Sequence, residues 1–175
     1  KMDGKLKVGI SGKGSFTHLT TAALFDKMGH SDKISYISYG KGKAPVELLA
    51  GRIDAAIQWP GQFVSYAEAG ELNVLAVTGD ERVSVLPEVQ TAMEQGVEVN
   101  IVMWRGLAAP KGTPPAAIEK LQNAAAAAIA SNQFQEAAKN IGFATAYLDA
   151  QAFGALIAKD DAFYGNLLKE LGLAK

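Results

Sequence analysis

Apolar positions along this chain switch repeatedly between a period of two and a period near 3.6. Leu6-Lys7-Val8-Gly9-Ile10 alternates and predicts a strand. Thr17 to Met28 predicts a helix, with Leu19, Ala22, Ala23 and Phe25 at apolar positions. Ile34 to Tyr39 is rich in β-branched and aromatic residues and predicts a second strand. Pro45 to Ala50 predicts a short helix opened by proline in its first turn and closed at Gly51. Ala55 to Ile57 reads as a short buried strand, Gly61 to Ala69 as a helix ending at Gly70, and Leu72 to Val77 as a strongly apolar strand. Strand and helix in alternation imply an α/β layer around a mostly parallel sheet.

The pattern then changes. A polar connection, Gly79 to Pro87, leads to a short helix near Thr91 to Gly96 and a strand over Ile101 to Ala108. Pro110-Lys111-Gly112-Thr113-Pro114-Pro115 breaks the chain, with Thr113 expected as an N-cap. Helices follow over Ala116 to Ser131, Gln133 to Ile141 and Ala150 to Leu171, with one short strand at Phe143 to Tyr147. The alanine run Ala124 to Ala128 fits close helix packing. Helices with apolar faces need a sheet to cover them. The second part supplies little sheet, so its missing strands are expected upstream of Lys1. The opening Lys1-Met2-Asp3-Gly4 is neither an initiation sequence nor a signal peptide, and the chain is expected to begin partway through a larger protein.

Composition narrows the chemistry. The 175 residues are 49% hydrophobic and 20% charged, enough for a core, and the net charge of −1 argues against nucleic acid as a partner. No apolar run is long enough to cross a bilayer. With no cysteine, disulfides and thiolate chemistry are excluded; with two histidines far apart, His18 and His30, no metal cluster is expected. No cofactor site stands out.

Candidate chemistry concentrates at Ser11-Gly12-Lys13-Gly14-Ser15-Phe16-Thr17-His18, between the first strand and the first helix. A strand turning through glycines into a helix that begins with Ser or Thr gathers unpaired N–H groups at the positive end of the helix dipole. Such a corner suits a carboxylate or phosphate. It lacks the spacing of a Walker loop and of a dinucleotide fingerprint. No Ser–His–Asp arrangement, paired carboxylate or metal constellation points to an enzyme. The alternatives are a bare turn, a phosphate-ester enzyme built on the corner, or the effector-sensing domain of a bacterial transcription regulator, although no helix-turn-helix segment is present.

Motifs along nearly the whole chain resemble one family. Ser11-x-x-Gly14-Ser15-x-x-His18-Leu19, Tyr39-Gly40-Lys41-Gly42 with Ala44-Pro45, Leu48-Leu49-Ala50-Gly51-Arg52-Ile53-Asp54, Leu86-Pro87-Glu88-Val89 with Thr91, and Trp104-Arg105-Gly106-Leu107 with Ala109-Pro110-Lys111-Gly112-Thr113-Pro114 follow the order of the receptors of tripartite tricarboxylate transporters, the Bug proteins. It departs from their pattern in Ser38 for proline, in Thr20-Thr21-Ala22-Ala23 where a glutamate is usual, and in Arg105 at a more often aromatic place.

The resemblance implies a fold of the type II periplasmic binding-protein kind, two lobes with mixed, mostly parallel sheets, here without part of the first lobe. Residues 1–103 would be the second lobe, holding half of the ligand clamp, and 104–175 the return into the first. It implies a periplasmic solute receptor, not an enzyme, that captures a small carboxylate and delivers it to membrane transporter subunits. Ser11, Gly14, Ser15, Phe16 and Thr17 would hold the carboxylate. His18 either donates to the ligand or braces the turn. Tyr39, Gly40, Gln58 and Trp59, at the carboxyl ends of the next two strands, would line the site, Trp59 alternatively being core. Lys13 either attracts the anion or is solvated, Asp54 and Trp104 are read as structural, and His30 as surface. Uncovered faces bearing Ile118, Leu121, Phe153, Leu156 and Phe163 predict self-association of this length of chain.

Overall fold

The computed structural model describes residues 4–40 and 42–174. Lys41 of the Tyr39–Gly42 motif, the opening Lys1-Met2-Asp3 and the final Lys175 lie outside the described residues. Three parallel strands, β1 (Leu6–Ile10), β2 (Ile34–Ser38) and β3 (Ala55–Ala56), form one sheet in the order β2-β1-β3. Register pairs Val8 with Tyr36 and Ala55, and Ile10 with Ser38. Helix α1 (Phe16–Lys27) connects β1 to β2, and α2 (Ala44–Leu49) connects β2 to β3. These are the crossovers that parallel strands require.

The two faces of β1 are packed differently. Val8 and Ile10 are buried on one; on the other, a Cβ added to Gly9 would meet Ile53 Cδ1 at 2.5 Å and Ala44 Cβ at 3.5 Å. Gly9 is what lets α2 and the chain entering β3 approach so closely. Asp54 is structural, as its position suggests: its carboxylate accepts the Lys7 N–H at 2.7 Å and its own N–H donates to Lys7 O at 2.9 Å, tying β3 to β1 at the amino edge.

Helix α1 has no single apolar stripe. Thr17 through Ala23 are all buried, because the helix is packed on several sides and its residues are small. Leu19, Ala22 and Ala23 join Ala92, Val99, Ile101 and Leu167 in one core cluster, with Phe16, Tyr164 and Leu168 against it.

The second part forms α4 (Pro115–Ala130), α5 (Asn132–Ile141) and α6 (Ala150–Glu170), following a short α3 (Val64–Glu68) that a single 3-10 turn at Pro60–Gln62 separates from β3. At the end of α6, Leu167 lies in the core cluster with Leu19, Ala22 and Ala23 of α1. Gly61 and Gly142 also pack backbone to backbone, joining α5 to the segment after β3.

Four expected elements differ. Leu72–Val77, Ile101–Ala108 and Phe143–Tyr147 form no strands; Val77 makes an isolated bridge to Thr91, and Ile101 donates to Thr78 O at 2.7 Å. A strand exists only through a ladder partner, and these segments find none among the described residues. Thr91–Gly96 forms turns rather than a helix. It keeps a reciprocal capping box nonetheless: Glu94 N–H donates to Thr91 Oγ1 at 3.0 Å and Thr91 N–H to Glu94 Oε2 at 2.7 Å. Thr113 caps no helix, because α4 begins at Pro115 with Pro114 in the N-cap position; its hydroxyl donates to Pro110 O at 2.8 Å. No helix of the described residues is long and apolar enough to cross a membrane.

Candidate functional site

The carboxyl ends of β1, β2 and β3 lie along one sheet edge, so parallel pairing brings Ser11–His18, Tyr39–Gly40 and Gln58–Trp59 to the same side of the molecule. Tyr39 N–H donates to Ile10 O at 3.1 Å and carries the β1–β2 pairing one step further.

The turn before α1 is cross-braced by its own side chains. Gly14 has φ +76°, in the left-handed region that favours glycine. Its N–H donates to His18 Nδ1 at 3.0 Å. Ser11 N–H donates to Thr17 Oγ1 at 2.8 Å, and that hydroxyl lies 3.0 Å from Ser15 Oγ. Ser15 is the N-cap, its Oγ accepting the His18 N–H at 3.3 Å, while its own N–H donates to Gly12 O at 3.1 Å. The N–H groups of Ser11, Gly14, Ser15 and His18 are therefore engaged within the protein. Those of Phe16 and Thr17, in the first turn of α1, have no acceptor among the described residues. The N–H groups of Gly12 and Lys13 likewise have no acceptor there, so the corner presents four backbone donors, two of them in the first turn of a 12-residue helix.

His18 is 4% exposed and braces the turn through Nδ1. Its ring meets Tyr36 edge-on at 4.3 Å. Burial first, and Lys13 second, hold its pKa below the ordinary histidine value, so the neutral ring is favoured and its proton sits on Nε2. Burial raises the Tyr36 phenol pKa. Beside this turn is a cavity of about 290 Å³ lined by Ile10, Lys13, His18, Tyr36 and Ser38. Among the residues singled out in the sequence, Lys13 and His18 line it. Tyr36 and Ser38 were legible only as alternate positions of a strand.

At the other two strand ends the side chains are less committed. Gln58 Nε2 and Gln62 Oε1 are buried without a hydrogen-bond partner. Gln62, which sequence reasoning missed, lies near Gly42 across the edge. No local motif marks it; only the fold brings it there. Trp59 packs edge-on against Phe143 at 4.3 Å with the Arg105 guanidinium 5.3 Å from its ring, so it joins the strand end to later segments. Trp104 Nε1 donates to Asp160 Oδ2 at 2.7 Å and its ring meets Phe153, which makes it a tether to α6. A larger cavity of about 420 Å³, between Ser84 and α5, is lined by none of the sequence-predicted residues. No group of metal-binding side chains occurs among the described residues.

The fold is of the periplasmic binding-protein type, the class of the solute-binding proteins it matches in structure. Within that class, the chain belongs to the tripartite tricarboxylate transporter family receptors, whose family model matches residues 1–173. It is similar to a UPF0065 protein of Cupriavidus necator, 30% identical over 173 residues, covering 98% of this chain and 52% of that protein. A TctC solute-binding protein from Polaromonas has a similar structure, with a TM-score of 0.82 and 35% identity over 95% of this chain and 58% of the other. A Rhodopseudomonas palustris protein solved with adipate matches with a TM-score of 0.79 and 26% identity, over 98% of this chain and 58% of its own. The chain therefore spans between half and three-fifths of the length of these proteins.

Proposed function

We propose that this chain is the clamp-bearing part of a periplasmic receptor that captures a small carboxylate and delivers it to the membrane subunits of a tripartite tricarboxylate transporter. The observation that carries this reading is the pair of uncommitted N–H groups of Phe16 and Thr17, held at the sheet edge by a turn that is already braced. A carboxylate there accepts charge-assisted hydrogen bonds in the field of the helix. Because Ser11, Gly14, Ser15 and His18 hold the turn in place before binding, little ordering is left for the ligand to cause. Tyr39, Gly40, Gln58 and Trp59 form the neighbouring wall. Residues 1–103 act as the second lobe and 104–175 return towards the first. The protein binds and releases its ligand unchanged; it is a receptor, not an enzyme, and nucleic acid is not a partner. Adipate in the Rhodopseudomonas relative supports the carboxylate class.

Calorimetric titration of the full-length receptor with carboxylates tests this. Gly14→Val places a β-branched residue at φ +76° in otherwise open space, so its cost falls on the turn, and binding is expected to be lost while the fold persists. Ser15→Ala is expected to weaken binding by about 1–3 kcal/mol. Unchanged affinity in both variants removes the corner from consideration. Of the residues expected to be uncovered, Leu121 and Phe163 are exposed, as are Phe134 and Ile157, whereas Ile118, Phe153 and Leu156 are half-buried, Phe153 against Trp104. Self-association follows, read as a sedimentation coefficient that rises with concentration; a concentration-independent monomer refutes it.

A further inference from the structure

Three stretches of chain meet at the exit of β3. Trp59 stands there on a stiff backbone, with φ −68° and ψ 131°, because Pro60 follows it and the 3-10 turn Pro60–Gln62 begins at once. Its ring is half-buried, with Phe143 edge-on at 4.3 Å and the Arg105 guanidinium 5.3 Å from its centroid. These two neighbours are held differently. Phe143 follows Gly142, whose backbone packs onto Gly61: a Cβ on Gly61 would stand 2.2 Å from Ile141 O, and one on Gly142 would stand 2.8 Å from Gly61 Cα. Backbone against backbone leaves no side chain to give way. Arg105 instead reaches Trp59 with a long side chain, from a segment that α6 holds. Trp104 and Gly106, on either side of it, lie against Phe153, and Trp104 Nε1 also donates to Asp160. Arg105 between them turns onto Trp59. The other two arginines, Arg52 and Arg82, are paired with Glu47 and Glu94. Arg105 has no carboxylate partner among the described residues, and its one hydrogen bond there goes to Trp104 O at 3.3 Å. Its charge is therefore directed at an indole face, which attracts a flat cation through the ring quadrupole.

We propose that Arg105 is a positioning residue that holds the segment from residue 104 onward against the exit of β3, with the Gly61–Gly142 joint as the pivot about which that segment moves when the contact opens; this rests on the division into residues 1–103 and 104–175 given above. Arg105 needs no contact with a ligand. It acts through Trp59 and keeps populated the arrangement in which the two parts of the chain are together, so a ligand that needs both does not first have to gather them. Arg105 is exposed and the contact is made by one side chain from each part, so it can break and re-form while the glycine joint stays packed. A contact of this kind shifts such a balance about two- to fivefold.

The test places spin labels on the full-length receptor at Lys27→Cys in α1 and Lys120→Cys in α4, both exposed, and reads the distance between them with and without adipate. Arg105→Met keeps an apolar stem and loses the charge. Without ligand it is expected to raise the population outside the wild-type distance peak about two- to fivefold, and to weaken adipate binding by a similar factor in calorimetry. Arg105→Lys keeps a cation and should restore part of both. In a Trp59→Leu background, Arg105→Met should change neither. A merely structural arginine lowers the urea midpoint and leaves the distances as they were. That result overturns the proposal, as does an Arg105→Lys variant no better than Arg105→Met, or an effect of Arg105→Met that is the same with and without Trp59. If adipate moves the wild-type distance and Arg105→Met does not, the division of the chain stands and only Arg105 is refuted; if neither moves it, both fail. Distances that respond to Arg105→Met in a receptor that binds no adipate support the proposal and count against the carboxylate reading alone.

Discussion

Thr17→Val removes one oxygen from the brace that holds the anion corner. Thr17 is 8% exposed, and its Oγ1 accepts the Ser11 N–H at 2.8 Å while lying 3.0 Å from Ser15 Oγ. Valine matches its branching and volume, so packing around the first turn of α1 survives. The partly buried Ser11 N–H loses its acceptor, at about 1–3 kcal/mol, and the contact with Ser15 contributes about 1 kcal/mol more. Added apolar burial by valine offsets roughly 1 kcal/mol of this. The expected loss is therefore about 2 kcal/mol, or roughly 4–8 °C in Tm. Thr17→Ser keeps the oxygen and deletes a methyl group, and is expected to cost about 1 kcal/mol. Urea unfolding measures both, with an unchanged m value showing that the two end states are comparable. Carboxylate affinity should fall in Thr17→Val and largely survive in Thr17→Ser, because only the former releases the strand end from the helix start. A valine variant within 0.5 kcal/mol of wild type, or a serine variant that is the worse of the two, refutes the argument that the hydroxyl holds the turn.

Gly9→Ala is expected to cost about 1–3 kcal/mol by overpacking, since its Cβ would stand 2.5 Å from Ile53 Cδ1. Ile53→Val deletes that atom, so the double variant should be more stable than the sum of the singles predicts by at least 0.5 kcal/mol in a denaturation cycle; strict additivity rejects the contact. His18 has a folded pKa below its unfolded value of 6.5, so the unfolded chain binds more protons as the pH falls through 6.5. Stability should decline from pH 7 downward, the decline from this group ending once the folded ring is protonated too, and the His18→Gln difference curve between pH 5 and 7 should show it; parallel curves reject the assignment.

The sheet region was legible because its signals are local. β1, α1, β2 and α2 fall within a residue of their expected bounds, since alternation, a serine cap and a proline in the first turn each act over a few neighbours. Leu72–Val77 shows where such reading stops. Its apolar run describes a strand able to be buried, yet Leu75 is 76% exposed and only Val77 finds a partner. Propensity measures fitness for a pleated surface, and the surface has to be present. The same holds for Phe143–Tyr147, which lies between two helices and has no neighbouring strand among the described residues. Thr113 fails for a different reason: the N-cap is Pro114, one residue later than expected, and the Thr113 hydroxyl closes the preceding turn onto Pro110 O.

The corner divides along the same line. That Ser11 to Thr17 form a donor-rich turn follows from their order in the chain, whereas which donors remain free depends on where each side chain bonds. Ser15 and Thr17 read as ligand groups and His18 as a ligand donor or a brace; which of their atoms bond within the turn, the two oxygens and Nδ1 onto the N–H groups of His18, Ser11 and Gly14, is decided by the fold. The side chains fix the loop, and the N–H groups of Gly12, Lys13, Phe16 and Thr17 are left without an acceptor among the described residues. This separates two kinds of substitution. Changes at Ser15 or Thr17 act through the loop, so they should lower stability and affinity together. Changes at Lys13 or Ser38, which brace nothing among the described residues and line the adjoining cavity, should alter affinity without a matching loss of stability. A plot of one quantity against the other across such variants would fall on two lines, one through each group, and the slope of the first gives the share of each loss of stability that reaches the ligand.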